Sequence, residues 1–119
     1  MDKKILVVDD EQNIGYALRI ILELEDFDVT TVQSGEKALE VLEEEKPALI
    51  ITDILMPEMD GWELIRRIRE LKITTPIIVL SVTQNSEHEE MARKKYDVKA
   101  FIRKPFDKKE LIEVIRKFI

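Results

Sequence analysis

Cysteine is absent from the 119 residues, which excludes disulfide staples and thiolate metal sites together. No apolar run approaches the roughly 20 residues a membrane-spanning helix needs. Met1-Asp2-Lys3-Lys4 leads straight into a strand-like run without a signal peptide. A cytoplasmic location with no membrane partner is therefore expected. An excess of positive charge is lacking too: the net charge is −6, which argues against direct nucleic-acid binding by this domain. There is one histidine, His88, set among Glu87, Glu89 and Glu90, and it reads as a solvated helix residue rather than a phosphorelay or metal group. Internal repeats, low-complexity stretches and linkers are missing, so residues 1–119 are expected to form a single domain.

What is present is a globular balance, with 45% hydrophobic and 37% charged residues, enough apolar content to bury a core at this length. The charge is unevenly placed. Residues 1–90 carry 9 Lys/Arg against 21 Asp/Glu, and residues 91–119 carry 10 against 4. Two readings stand: ordinary solvated helix faces, or a basic C-terminal face for docking or for holding an anion.

The most informative stretch is Leu49-Ile50-Ile51-Thr52-Asp53, followed by Ile54-Leu55-Met56-Pro57-Glu58-Met59-Asp60-Gly61. A short Ile-rich run reads as a strand buried on both faces, the signature of a parallel sheet. It ends on a carboxylate, and Pro57 with the Asp60-Gly61 pair then turns the chain. In open α/β sheets the carboxyl ends of strands are where ligands collect. Ile5-Leu6-Val7-Val8 is a second such run and ends in Asp9-Asp10-Glu11. Adjacent carboxylates repel, so holding three together needs a reason. A hard cation such as Mg²⁺, which takes oxygen ligands, is one. A helix N-terminus is another, and it suits Glu11 better than Asp9 or Asp10.

The rest of the chain alternates. Ile14, Ala17, Leu18, Ile21 and Leu22 recur at helical spacing. Asp28–Val32 is a β-branched strand; Ser34-Gly35 opens a helix with Ala38, Leu39, Val41 and Leu42 on one face, stopped by Pro47. Asp60 and Glu63 form a capping-box pair for a helix carrying Leu64, Ile65, Ile68 and Leu71 inward. Pro76–Leu80 is a fourth strand ending in Ser81. Ser86 and Glu89 are expected to cap a fourth helix, whose stretch 87–95 is mostly charged and buries little. Val98–Ile102 runs into Arg103-Lys104-Pro105-Phe106, and Asp107 with Glu110 caps a last helix. Trp62 reads as partial core packing, and Met56 and Met59 as loop packing. Five strands alternating with five helices imply right-handed crossovers in a doubly wound, flavodoxin-like (βα)5 fold with strand order 2-1-3-4-5. That order brings Asp9, Asp10 and Asp53 together, with Ser81 and Lys104 closing the same pocket.

With these residues in this order, the chain resembles the CheY-like receiver domain of two-component response regulators. The resemblance covers the whole chain. It rests on Val8-Asp9-Asp10-Glu11, Asp53 with Pro57 and Asp60-Gly61, Ser81, and Phe101-Ile102-Arg103-Lys104-Pro105-Phe106. It implies a phosphorylatable switch, not an enzyme with an outside substrate, that assists its own phosphorylation and dephosphorylation. Asp53 would accept a phosphoryl group from a sensor histidine kinase or phosphotransfer domain. Asp10 and Asp53 would hold Mg²⁺ directly, Asp9 through water, and the Leu55 carbonyl would be a further ligand. Ser81 would bond a phosphoryl oxygen, Lys104 would pair with the anion, and Phe101 would turn inward on activation, acting with Ser81 as the switch. Lys104-Pro105 would be a cis peptide. An output domain or target protein would engage the face of the fourth helix, fifth strand and fifth helix.

The chain departs from the family pattern at three places. Val82 stands where a small residue is usual and is expected to narrow access to the phosphoryl site. Asp97-Val98 replaces the common Gly-Ala, so a different turn is expected there. Phe101 lacks a phenol. By the same resemblance, Leu55 and Thr83 flank the phosphoryl group and govern its lifetime. A haloacid-dehalogenase-like phosphohydrolase also uses a strand-end Asp, but it needs a general acid where Leu55 stands. A flavodoxin-like cofactor module would bring an anionic phosphate against Asp9-Asp10-Glu11, which repel it. A degenerate receiver that only binds proteins is disfavoured because the functional positions are all filled.

Overall fold

The computed structural model describes residues 3–82 and 86–119. Its elements are β1 (Lys4–Val8), α1 (Gln12–Glu23), β2 (Asp28–Val32), α2 (Gly35–Glu44), β3 (Leu49–Thr52), α3 (Gly61–Glu70), β4 (Ile77–Ser81), α4 (Ser86–Tyr96), β5 (Val98–Arg103) and α5 (Lys108–Arg116). All neighbouring strands are parallel, in the order β2-β1-β3-β4-β5. The expected doubly wound, flavodoxin-like architecture is the one found.

The period-2 alternation of the strands divides the interior in two. Leu6, Val8, Ile50, Ile77 and Val79 face α2, α3 and α4, where they meet Ala38, Leu42, Leu64, Ile65 and Ile68. Ile5, Val7, Leu49, Ile51, Ile78 and Leu80 face the opposite layer and meet Leu18, Leu22, Leu111 and Ile115 of α1 and α5. At about 1.5–3 kcal/mol for each fully buried Val, Leu or Ile side chain, these two layers dominate stability. β1 and β3 are central and buried on both faces, which is why neither shows a polar-out pattern.

Helix starts follow the expected chemistry at three places. Ser34 accepts from Lys37 N, Asp60 from Glu63 N (2.9 Å) and Asp107 from Lys109 N (2.9 Å). Ser86, expected as a cap, is instead the first residue of α4. Two inward assignments fail: Ala17 and Leu71 are exposed. Gly15 takes the buried position on α1 because it packs under Thr31. Leu71 is the C-cap of α3, one position past its last helical residue. There Lys72 takes φ 65° while Ile73 N donates to Ile68 O and Lys72 N to Arg69 O, a Schellman close with a lysine in the left-handed position.

α4 is the least embedded helix, with Ala92 its buried residue. Its C-terminal end is nonetheless fixed. The Arg69 guanidinium donates to the carbonyls of Tyr96 (2.7 Å), Ile73 (2.8 Å) and Thr75 (2.9 Å). Asp97, expected to change the turn into β5, adopts φ 55°. That is the left-handed region glycine favours, so the aspartate keeps the turn a glycine would make. The Lys104–Pro105 peptide is cis, as the resemblance implies.

Candidate functional site

Four strand ends build the site. Asp9 follows β1, Asp53 follows β3, Ser81 closes β4 and Lys104 follows β5. Parallel pairing sets their depth. Asp53 N donates to Val8 O (2.9 Å) and Asp9 N to Val32 O (3.1 Å), so both aspartates leave the sheet at one level. Lys104 N donates to Ser81 O (3.0 Å), tying the ends of β4 and β5.

Asp9 and Asp53 are 2% and 4% exposed, while Asp10 is exposed to solvent. One oxygen from each of Asp9, Asp10 and Asp53 lies within 4.8 Å of the others. A cluster of hard oxygen donors at this spacing fits a Mg²⁺ or similar hard cation. Lys104 reaches into the same cluster from β5. Its Nζ is 2.8 Å from Asp9 Oδ2, 3.3 Å from Asp53 Oδ2 and 3.9 Å from Glu11 Oε1. Asp9 Oδ1 accepts from Glu11 N (2.9 Å) and Asp53 Oδ1 from Ile54 N (2.8 Å).

Burial pushes the Asp53 carboxyl above its usual range; Lys104 opposes this, Asp9 adds to it, and the Ile54 N–H opposes it again. For Lys104, burial works against the charged form, but the hydrogen bond and charge of Asp9, with Asp53 behind them, hold the ammonium above its ordinary value. The site therefore carries a firm cation beside a carboxylate that is costly to ionise.

The loop after β3 is pressed against α3. Gly61 N donates to Ile54 O at 2.8 Å. A Cβ on Gly61 would lie 2.2 Å from Asp53 O and 2.8 Å from Ile54 Cα, so only glycine allows this approach. The sequence marked Gly61 as part of a turn; its position directly after the Asp60 cap was the available hint of a closer role. Met56 and Met59 are buried in the loop, as expected of packing residues.

Leu55 is 54% exposed and Val82 is exposed as well. A cavity of about 330 Å³ lies beside the acceptor loop, with Leu55, Trp62, Ser81, His88 and Phe101 on its walls. Trp62 is partly buried, as expected. His88 is exposed, but it is more than a solvated residue: its ring stands edge-on to Trp62 at 5.7 Å. Phe101 is half-buried, 6.3 Å from Trp62, with the Arg93 guanidinium 4.9 Å over its ring. Thr83 lies outside the described residues.

The family model for the response regulator receiver domain matches residues 5–116. The chain belongs to this receiver family. It is 38% identical over 111 residues to the alkaline phosphatase synthesis transcriptional regulatory protein PhoP of Bacillus subtilis, covering 93% of this chain but 46% of that protein. The chain thus spans about half the length of this relative. A response regulator receiver protein from Pseudomonas putida shares 32% identity at a TM-score of 0.90, covering 98% of both chains. The chemotaxis response regulator CheY4 of Vibrio cholerae shares 26% identity at 0.89, covering 100% of both. As a receiver domain, the chain is a signalling module of two-component systems. Among the described residues, no helix is long and apolar enough to cross a membrane.

Proposed function

We propose that this receiver is a phosphorylatable switch in which Asp53 accepts a phosphoryl group from a sensor histidine kinase or a phosphotransfer domain. The observation that carries the reading is the placement of Asp53 against Asp9 and Asp10, with the Lys104 ammonium 3.3 Å from its Oδ2. Asp53 attacks phosphorus as the donor's P–N bond breaks, and the electron pair stays on the departing imidazole. Bound Mg²⁺, held by Asp9, Asp10, Asp53 and the Leu55 carbonyl, would neutralise charge developing on the transferred group. Lys104 supplies positive charge from the end of β5, and Ser81 offers a hydroxyl from the end of β4. Both act where charge is greatest in the transfer.

Modification then alters the α4–β5–α5 face through Ser81 and Phe101, and that face meets an output domain or target protein. α4 suits this role because it is thinly packed, so a few contacts can bias its position. A cytoplasmic setting is part of the same reading. The decisive experiment is intact mass after incubation with Mg²⁺ and acetyl phosphate. Wild type is expected to gain one phosphoryl unit, and Asp53→Ala none. Labelling that survives in Asp53→Ala, or proceeds equally in chelator, rejects the assignment.

A further inference from the structure

The start of α3 is joined rigidly to the acceptor loop. Gly61 N donates to Ile54 O, there is no room for a side chain between Gly61 and the Asp53 carbonyl, and Asp60 caps the helix through Glu63 N. Trp62 is the next residue. Its indole meets two elements of the proposed output face at once: His88 of α4, edge-on with an interplanar angle of 70°, and Phe101 of β5, tilted at 45°. Arg93 of α4 covers Phe101. A displacement of the acceptor loop therefore has a short route of ring contacts into α4.

The helix it reaches is tied near both ends: Arg69 donates to the carbonyl of Tyr96 at the C-terminal end, and Glu89, beside His88 in the first turn, pairs with Arg103 of β5 at 3.6 Å. His88 is where the Trp62 indole meets that first turn. Trp62 and Phe101 also share the walls of the 330 Å³ cavity, so the indole limits the space into which Phe101 can rotate.

We infer that Trp62 is a positioning residue that carries movement of the acceptor loop into α4 through His88 and limits how far Phe101 turns. This route is separate from one through Ser81. It rests on the reading of Asp53 as phosphoacceptor, which the same samples test independently.

The experiment uses the full chain as wild type, Trp62→Leu, Trp62→Phe and His88→Ala, with Mg²⁺ and acetyl phosphate. Intact mass follows modification, and hydrogen exchange of residues 86–96 is compared before and after it. All four proteins are expected to gain the phosphoryl group. The modification-dependent change in exchange should be clear in wild type, largely retained in Trp62→Phe, and largely lost in Trp62→Leu and His88→Ala. A merely structural role would shift exchange in the unmodified variants but leave the response to modification intact; that pattern overturns the inference. So does a modified wild type without any change in 86–96. If Trp62→Leu does not fold, Trp62→Phe and His88→Ala decide. A wild type whose mass never rises fails at Asp53 and takes this inference with it, a result distinct from modified variants that respond as wild type does.

Discussion

The Lys104 ammonium donates to Asp9 Oδ2 at 2.8 Å, across 95 residues of chain, and both side chains are almost fully buried. The lysine holds together a site whose carboxylates would otherwise repel one another. Removing one partner of a buried ion pair leaves an uncompensated charge and costs about 3–5 kcal/mol. In chelator, Lys104→Met is expected to lose stability on that order, about 3 kcal/mol, by urea unfolding. Mg²⁺ should restore more stability to the variant than it adds to wild type, because it returns positive charge to the cluster. Equal unfolding midpoints for the two proteins would show that Lys104 does not offset the repulsion.

Gly61 gives a second test, aimed at loop geometry. Its added Cβ would meet Asp53 O at 2.2 Å, and that contact is backbone, not a flexible side chain. Gly61→Ala is expected to cost about 1–3 kcal/mol through overpacking and to slow acetyl phosphate labelling of Asp53 markedly. Gly35 is the internal control. Its added Cβ would meet the Met59 side chain, which can move. Gly35→Ala should therefore slow labelling much less. Equal labelling rates in the two variants would remove the positional argument for Gly61.

Leu55 bears on the lifetime of the modified form. An acyl phosphate is lost when water attacks in line, and an apolar side chain two residues beyond Asp53 cannot orient that water. Leu55→Asn is expected to speed decay about tenfold, equivalent to about 1.4 kcal/mol of barrier. Val82→Ala should instead act mainly on entry of small phosphodonors. Intact mass followed through labelling and then decay in all three proteins checks both statements, and an unchanged decay rate in Leu55→Asn would exclude Leu55 as the gate.

Lys72 tests the fold away from the site. It holds φ 65° at the close of α3, a conformation that costs an L-residue roughly 1 kcal/mol relative to glycine. Lys72→Gly is expected to raise stability by several tenths to about 1 kcal/mol and to leave labelling of Asp53 unchanged. A loss of stability on urea unfolding would mean that the lysine side chain contributes more than its backbone strain removes.

The element order, the strand order and the approach of Asp9, Asp10, Asp53 and Lys104 were legible in the sequence, for a local reason. The buried strands β1, β3 and β4 are short apolar runs, each closed by a polar residue, and the right-handed crossover rule leaves few ways to arrange five strands around them. The cis Lys104–Pro105 bond came from the family resemblance, not from any such rule. Tertiary structure alone decided which partner each group takes. Periodicity assigns a helix face only to within a residue, so Ala17 and Leu71 were placed inward while Gly15 was overlooked. Lys104 was expected to pair with an incoming anion, yet it also bonds Asp9, because the ends of β1 and β5 converge at one depth. The Arg69 clamp on Tyr96 spans 27 residues and the Trp62–His88 contact spans 26. Neither leaves a pattern in the chain, since contacts between layers depend on how helices settle over the sheet rather than on the spacing within any one of them.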